Sequence, residues 1–66
     1  MSAPTVTVVD ESGEEDTILA SEAHANLVEY GYDHLVAEEL ICDLLDHETT
    51  GVTTLTFPHL GITLKP

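Results

Sequence analysis

The sequence predicts a small α+β domain, in which two helices in an antiparallel hairpin cover one face of a three- or four-stranded antiparallel sheet. Near both ends of the chain, β-branched residues alternate with other residues at a period of two, which is typical of half-buried strands. The middle of the chain has apolar residues at three- and four-residue spacing, which is typical of helices. With 66 residues, the chain is expected to form one domain over residues 1–66.

The N-terminal part of the chain is predicted to form a β-hairpin. Thr5–Asp10 alternates threonine with valine and suits a first strand. The polar residues 11–15 include a glycine and suit a turn, and the apolar residues 17–20 suit a second strand. A first helix that starts at Asp16 or Thr17 is the alternative.

Two helices are predicted in the middle of the chain. Ser21 is a candidate N-cap for a helix over residues 22–30, and Gly31 can take the left-handed conformation that ends it. Asp33 is a candidate N-cap for a second helix over residues 34–47.

The C-terminal part of the chain is predicted to form a second hairpin. Residues 52–57 and Ile62–Lys65 alternate apolar residues with threonine, and Pro58 and Gly61 suit the turn between them. The threonine-rich face of the sheet would then be left to solvent or to a partner.

The second predicted helix is apolar over about half of its circumference, whereas a helix that only covers a sheet needs an apolar arc of little more than about 100°. We therefore predict that this helix packs inside its own chain on one side and against a second copy of the chain, in a homodimer, on the other. The predicted dimer-interface residues are Val36, Leu40, Ile41, Leu44 and Leu45.

The charge balance limits the possible partners. Thirteen Asp and Glu residues stand against a single basic residue, Lys65, and the formal net charge is −12. Direct binding to nucleic acid is not expected, because it needs clustered Lys and Arg side chains. Direct binding to a membrane is not expected either, because nucleic acids and membrane surfaces carry negative charge and repel an acidic protein. A basic protein surface is the expected charged partner. On the second helix, the predicted acidic surface consists of Glu39, Asp43 and Asp46.

The acidity has two interpretations. Acidic surfaces with little lysine are typical of proteins in a high-salt cytoplasm, where screening relieves the self-repulsion, and charged faces in general are solvated. In the second interpretation, the carboxylates imitate a phosphate backbone, and the protein binds to a nucleic-acid-binding protein in place of the nucleic acid. A mimic needs carboxylates spaced along one surface, whereas solvation would scatter them over every exposed face.

No residue pattern predicts a catalytic residue, a metal or a cofactor. Cys42 and Asp43 point about 100° apart on a helix, so they cannot both face a metal together with His47. No CxxC, HxxxH or HExxH spacing occurs, and further zinc ligands would have to come from His24 or His59. We therefore expect a protein that is not an enzyme.

The expected compartment is the cytoplasm. The first ten residues have neither the basic residues nor the long apolar core of a signal peptide, and no apolar run approaches the roughly 20 residues of a membrane span. The single cysteine, Cys42, cannot form an internal disulfide, which suits a reducing environment.

The stretch LVEYGYDHLVAEEL, residues 27–40, resembles the first two helices of ubiquitin-associated domains, with Tyr30, Gly31 and Tyr32 in place of that family's Met-Gly-Phe-like loop. The resemblance covers roughly a quarter of the chain. The third helix of the family has no predicted counterpart, because residues 52–64 are predicted to form strands, and the family's function is not transferred.

The predicted function is a small acidic, non-enzymatic module for protein–protein interaction or regulation, which is homo-oligomeric. Accessory proteins of viruses, plasmids or halophilic microbes suit this description. The alternative is a nucleic-acid mimic that inhibits a basic nucleic-acid-binding protein, and a DNA binder of the ribbon-helix-helix type ranks third.

Overall fold

The computed structural model describes residues 3–66, which form two layers, one of helices and one of strands. The four strands form one antiparallel sheet in the order β2-β1-β4-β3. The predicted α+β class is therefore confirmed, with four strands in the sheet. In chain order, the elements are β1 (Thr5–Asp10), β2 (Glu15–Leu19), α1 (Ala20–Glu29), α2 (His34–Leu45), α3 (His47–Thr50), β3 (Leu55–Phe57) and β4 (Ile62–Lys65).

The N-terminal hairpin is confirmed, although β2 begins at Glu15, inside the predicted turn, and ends at Leu19. The alternative of a helix that starts at Asp16 or Thr17 is wrong. The turn between β1 and β2 is held by the carboxylate of Asp10. One oxygen of this carboxylate accepts hydrogen bonds from the Ser12 hydroxyl at 2.6 Å, from the Ser12 N–H at 2.9 Å and from the Glu14 N–H at 3.1 Å. Gly13 has a φ of 87°, which side chains disfavour.

These hydrogen bonds lower the pKa of Asp10 from its ordinary value of 3.8, with the Ser12 hydroxyl as the largest cause and the Glu14 N–H as the second. Because folding lowers this pKa, the ionised carboxylate of Asp10 stabilises the hairpin. The stabilisation is present in full above about pH 4, and it is lost as the pH falls through the pKa that Asp10 has in the folded protein. Ser12→Ala is expected to raise the Asp10 pKa toward 3.8. NMR titration of the Asp10 carboxyl carbon measures this pKa in the wild type and in the variant. An equal pKa in the two proteins would contradict the role of Ser12.

The first helix begins earlier than predicted, and Ser21 is not its cap. α1 starts at Ala20, directly after β2, with Leu19 at the N-cap position and no side-chain cap hydrogen bond. The Ala20 N–H instead donates to the backbone carbonyl of Pro4 at 2.9 Å, so the neighbouring strand end takes over the role of a capping side chain. Gly31, with a φ of 108°, ends the helix as predicted.

The second helix is capped as predicted but ends earlier. The Asp33 carboxylate accepts the Leu35 N–H at 3.0 Å. α2 ends at Leu45, and His47 belongs to the separate short helix α3, because the backbone of Asp46 leaves the helical conformation. Among residues 3–66, no helix is long and apolar enough to cross a membrane.

The C-terminal hairpin is confirmed, although β3 begins only at Leu55, so residues 52–54 lie outside the strand. β4 pairs with β3 on one side and with β1 on the other, which joins the two hairpins into one sheet. The likeness to ubiquitin-associated domains therefore ends after α2, because strands follow in place of a third long helix.

The core lies between the sheet and the helices. Alternate residues of the strands point toward the helices, as the burial of Val6 and Leu64 shows. α1 and α2 each bury one stripe against these residues, whereas α3 has no buried residue, and the described part of the chain has no buried polar residue. The buried residues are Val6, Ala20, Ala23, Leu27, Ala37, Ile41, Leu44, Phe57 and Leu64.

Candidate functional site

Two of the predicted dimer-interface residues lie in the core of their own chain. Leu44 is 0% exposed and Ile41 is 4% exposed, and both belong to the buried cluster that joins the sheet, α1 and α2. As the chain is folded, Ile41 and Leu44 make their contacts inside their own chain, and their part in the predicted interface stays a prediction. The apolar arc of α2 is wide because the helix packs on two elements of its own chain, the sheet and α1.

The three remaining interface residues do not form one face. Val36 is 47% exposed, Leu45 is 36% exposed and Leu40 is half-buried. Val36 and Leu45 are nine residues apart, which places them about 180° apart around a helix. They therefore flank the buried stripe on opposite sides, and one flat partner surface cannot cover both. The homodimer itself stays a prediction.

The helix layer carries a group of carboxylates on the side away from the sheet, which we call the acidic helix surface. On α2, Glu39 and Asp46 are exposed and Asp43 is half-buried, and helical spacing places them within about 60° of one another. On α1, the exposed Glu22 and Glu29 are seven residues apart and share one side, opposite the buried stripe of that helix. These five residues constitute the acidic helix surface.

The sheet has an opposite face that no element among residues 3–66 covers, which we call the open sheet face. Strand register places on it the residues of each strand that point away from the helices. Only two of them are charged, one acid and the single basic residue of the chain. The residues are Thr5, Thr7, Val9, Glu15, Thr17, Leu19, Thr56, Thr63 and Lys65.

A cleft of about 300 Å³ lies between α1 and α2. Its polar lining consists of Ser21 and His24 from α1 and of His34, Glu38 and Cys42 from α2. The two imidazole rings meet edge to face with centroids 4.6 Å apart, and His24 Nε2 lies 3.1 Å from the His34 carbonyl oxygen. His34 and Glu38 were not among the predicted site residues. Their four-residue spacing with Cys42 along one helix side is the pattern that could have found them.

Of the residues considered for a zinc site, His24 and Cys42 line the same cleft, and the others lie elsewhere. Cys42 lies at the cleft, whereas His59 lies on the C-terminal hairpin, where its Nε2 is 3.1 Å from the Tyr32 hydroxyl. His47 begins α3, and its buried Nδ1 finds no hydrogen-bond partner in the described part of the chain. Within residues 3–66, no three His, Cys, Asp or Glu side chains are placed to hold a metal ion.

Cys42 is expected to be dispensable for folding. Its thiol is exposed, so Cys42→Ser should change the free energy of unfolding by no more than about 1 kcal/mol. Urea denaturation of both proteins measures this difference. Metal analysis of the purified protein is the accompanying control: stoichiometric zinc that is lost in Cys42→Ser or His24→Ala would contradict the expectation that the chain binds no metal.

The fold and its surfaces define a small two-layer α+β protein with an acidic helix layer and an uncovered, nearly uncharged sheet face. No family model, no curated protein and no solved structure matches the chain. The surfaces themselves therefore provide the grounds for a functional proposal.

Proposed function

We propose that this chain is a non-enzymatic protein-interaction module that presents its acidic helix surface to a basic surface of a partner protein. One observation carries the proposal: five of the thirteen acids share the side of the helix layer that faces away from the sheet. The five carboxylates of the acidic helix surface lie on one side, and Lys65, the only Lys or Arg of the chain, lies on the opposite side. Such a field steers a basic partner toward the helices.

The surroundings of the cleft fit a binding role better than an enzymatic one. At about 300 Å³, the cleft is at the lower end of the range for small-molecule sites, about 300–1,000 Å³. We propose neither a cofactor nor a catalytic residue. A cytoplasmic setting fits the single free cysteine, and a role as an accessory protein of a virus, a plasmid or a halophilic microbe fits the size and charge.

A charge-matched pair of variants tests the proposal. Glu22→Gln, Glu29→Gln and Glu39→Gln together neutralise most of the acidic helix surface, whereas the control neutralises three exposed acids near the β1–β2 turn. Each triple variant changes the formal net charge from −12 to −9, because three acids are lost. The control substitutions are Glu11→Gln, Glu14→Gln and Asp16→Asn.

Fluorescence titration with a labelled Lys- and Arg-rich peptide at low salt compares the two variants. The triple variant of the acidic helix surface, which we call the helix variant, is expected to bind the peptide about tenfold more weakly than the wild type does. Each exposed charge pair that is lost is expected to cost roughly 0.5 kcal/mol of binding free energy. The control is expected to bind nearly as well as the wild type. Equal weakening of both would mean that only net charge matters. Affinity purification from the native host lysate at low and high salt then identifies the partner.

A nucleic-acid mimic is the second candidate function. The observation that favours it is the ordered placement of carboxylates: Glu39, Asp43 and Asp46 follow one another along α2 at axial steps of about 6 Å and about 4.5 Å. Competition against a labelled DNA duplex bound to a basic DNA-binding protein tests it. A mimic displaces the duplex stoichiometrically, loses this ability when Glu39→Gln, Asp43→Asn and Asp46→Asn are combined, and keeps it in the control variant. Failure of the wild type to displace DNA would exclude mimicry of that protein's ligand.

A further inference from the structure

We propose that a second copy of the chain covers the open sheet face, with Glu15 of each copy paired to Lys65 of the other. This inference is independent of the basic partner proposed above. Thr5, Thr17 and Leu19 on this face are exposed, yet Glu15 is the only one of the thirteen acids there. Acids that served solvation alone would occupy this face as they occupy the helices, so their near absence indicates a face that is covered in the assembled protein.

The charge distribution selects a second copy as the occupant. Two copies with a formal net charge of −12 each repel one another in most orientations. Contact through the acidic helix surface would bring five carboxylates against five. Contact through the open sheet face brings together one acid and one base from each copy, so it is the approach with the least repulsion. A basic partner would instead prefer the helix side.

The strand register makes the face complementary to itself. Glu15 of β2 pairs with Val9, and Lys65 of β4 pairs with Thr7, so the two charges flank β1 on opposite sides and two residues apart along it. A twofold axis that lies between two stacked sheets and crosses β1 between Thr7 and Val9 places Glu15 opposite the partner subunit's Lys65, and the reverse.

The side chains at this axis suit close sheet packing. Thr7, Val9 and Thr63 are small and β-branched, and sheets pack face to face about 10 Å apart. Within residues 3–66, Lys65 forms no ion pair with its own chain, since the single ion pair found there joins His34 and Glu38. The lysine is therefore available to the second copy.

The area is sufficient for a specific but weak dimer. The molecule measures 30 × 25 × 23 Å and exposes 4390 Å², so one of its six sides supplies roughly 700 Å². A specific interface needs about 500 Å² from each partner. A dissociation constant in the micromolar range is expected, because much of the buried area is threonine.

Sedimentation equilibrium between about 10 µM and 1 mM, in about 0.5 M potassium chloride to screen the net repulsion, tests the proposal. Glu15→Lys and Lys65→Glu are each expected to weaken the dimer at least tenfold, because both ion pairs become like-charge contacts. The double variant is expected to regain the wild-type affinity. Thermal unfolding by circular dichroism confirms that each variant is folded.

The matched control is Glu29→Lys, which has the same net charge of −10 as Glu15→Lys but lies on α1, in the helix layer on the other side of the sheet. If net repulsion alone governed association, both variants would dimerise more strongly than the wild type, so weakening by Glu15→Lys alone supports the pairing. A folded monomer at every concentration would overturn the proposal. So would a dimer that Val36→Asp breaks and Glu15→Lys leaves intact, because α2 would then form the interface.

Discussion

Replacing Leu44 with aspartate is expected to unfold the protein at 25 °C. Leu44 is fully buried in the cluster between the sheet and the two helices. Truncation of such a leucine to alanine costs about 2–5 kcal/mol, and an unpaired buried charge costs more. A domain of 66 residues has a total stability of only about 3–10 kcal/mol. Circular dichroism and urea denaturation of Leu44→Ala and Leu44→Asp measure the loss.

Leu35→Asp is the matched control for this experiment. It makes the same chemical change on the same helix and adds the same charge, but Leu35 is 70% exposed. The free energy of unfolding should therefore change by no more than about 0.5 kcal/mol. A folded Leu44→Asp protein, or equal destabilisation by the two substitutions, would contradict the position of α2 in the core.

The second large effect is expected from salt: the melting temperature should rise by about 10 °C between about 0.01 M and about 1 M potassium chloride. At the lower concentration the Debye length is about 30 Å, as long as the molecule itself, so every carboxylate repels every other. At the higher concentration it is about 3 Å, and only immediate neighbours interact. Several like-charge pairs at roughly 0.2–0.5 kcal/mol each account for an effect of this size.

The pair Asp43→Asn and Asp46→Asn shows where this repulsion acts. Both acids lie at the C-terminal end of α2, where the helix dipole disfavours negative charge. The double variant should therefore melt at a higher temperature than the wild type in low salt and respond less to added salt. A wild-type melting temperature that is the same in low and molar salt would mean that the carboxylates are too far apart to destabilise the fold.

The local elements of this protein were predictable because they depend on residues close together in the chain. The alternation in Thr5–Asp10 and Ile62–Lys65 predicted strands, and a polar turn with Gly13 predicted the first hairpin. Asp33 was correctly predicted to cap α2, since a cap needs only its own side chain and the next few N–H groups. Helical spacing alone separated Glu39 and Asp46 from the apolar arc of α2, and both side chains are exposed.

Residues close together in the chain were enough to predict these elements and the surplus of negative charge, whereas only the packing of the whole chain shows which surfaces are free. The start of α1 was mispredicted because the carbonyl that caps Ala20 belongs to Pro4, sixteen residues away. The burial of Leu44 depends on the sheet and α1 together. The placement of Lys65 across β1 from Glu15 depends on the pairing of β1 with β4, which joins the two ends of the chain. Local patterns contain no information on such distant pairings, because they arise from packing and hydrogen bonds that form only when the whole chain folds.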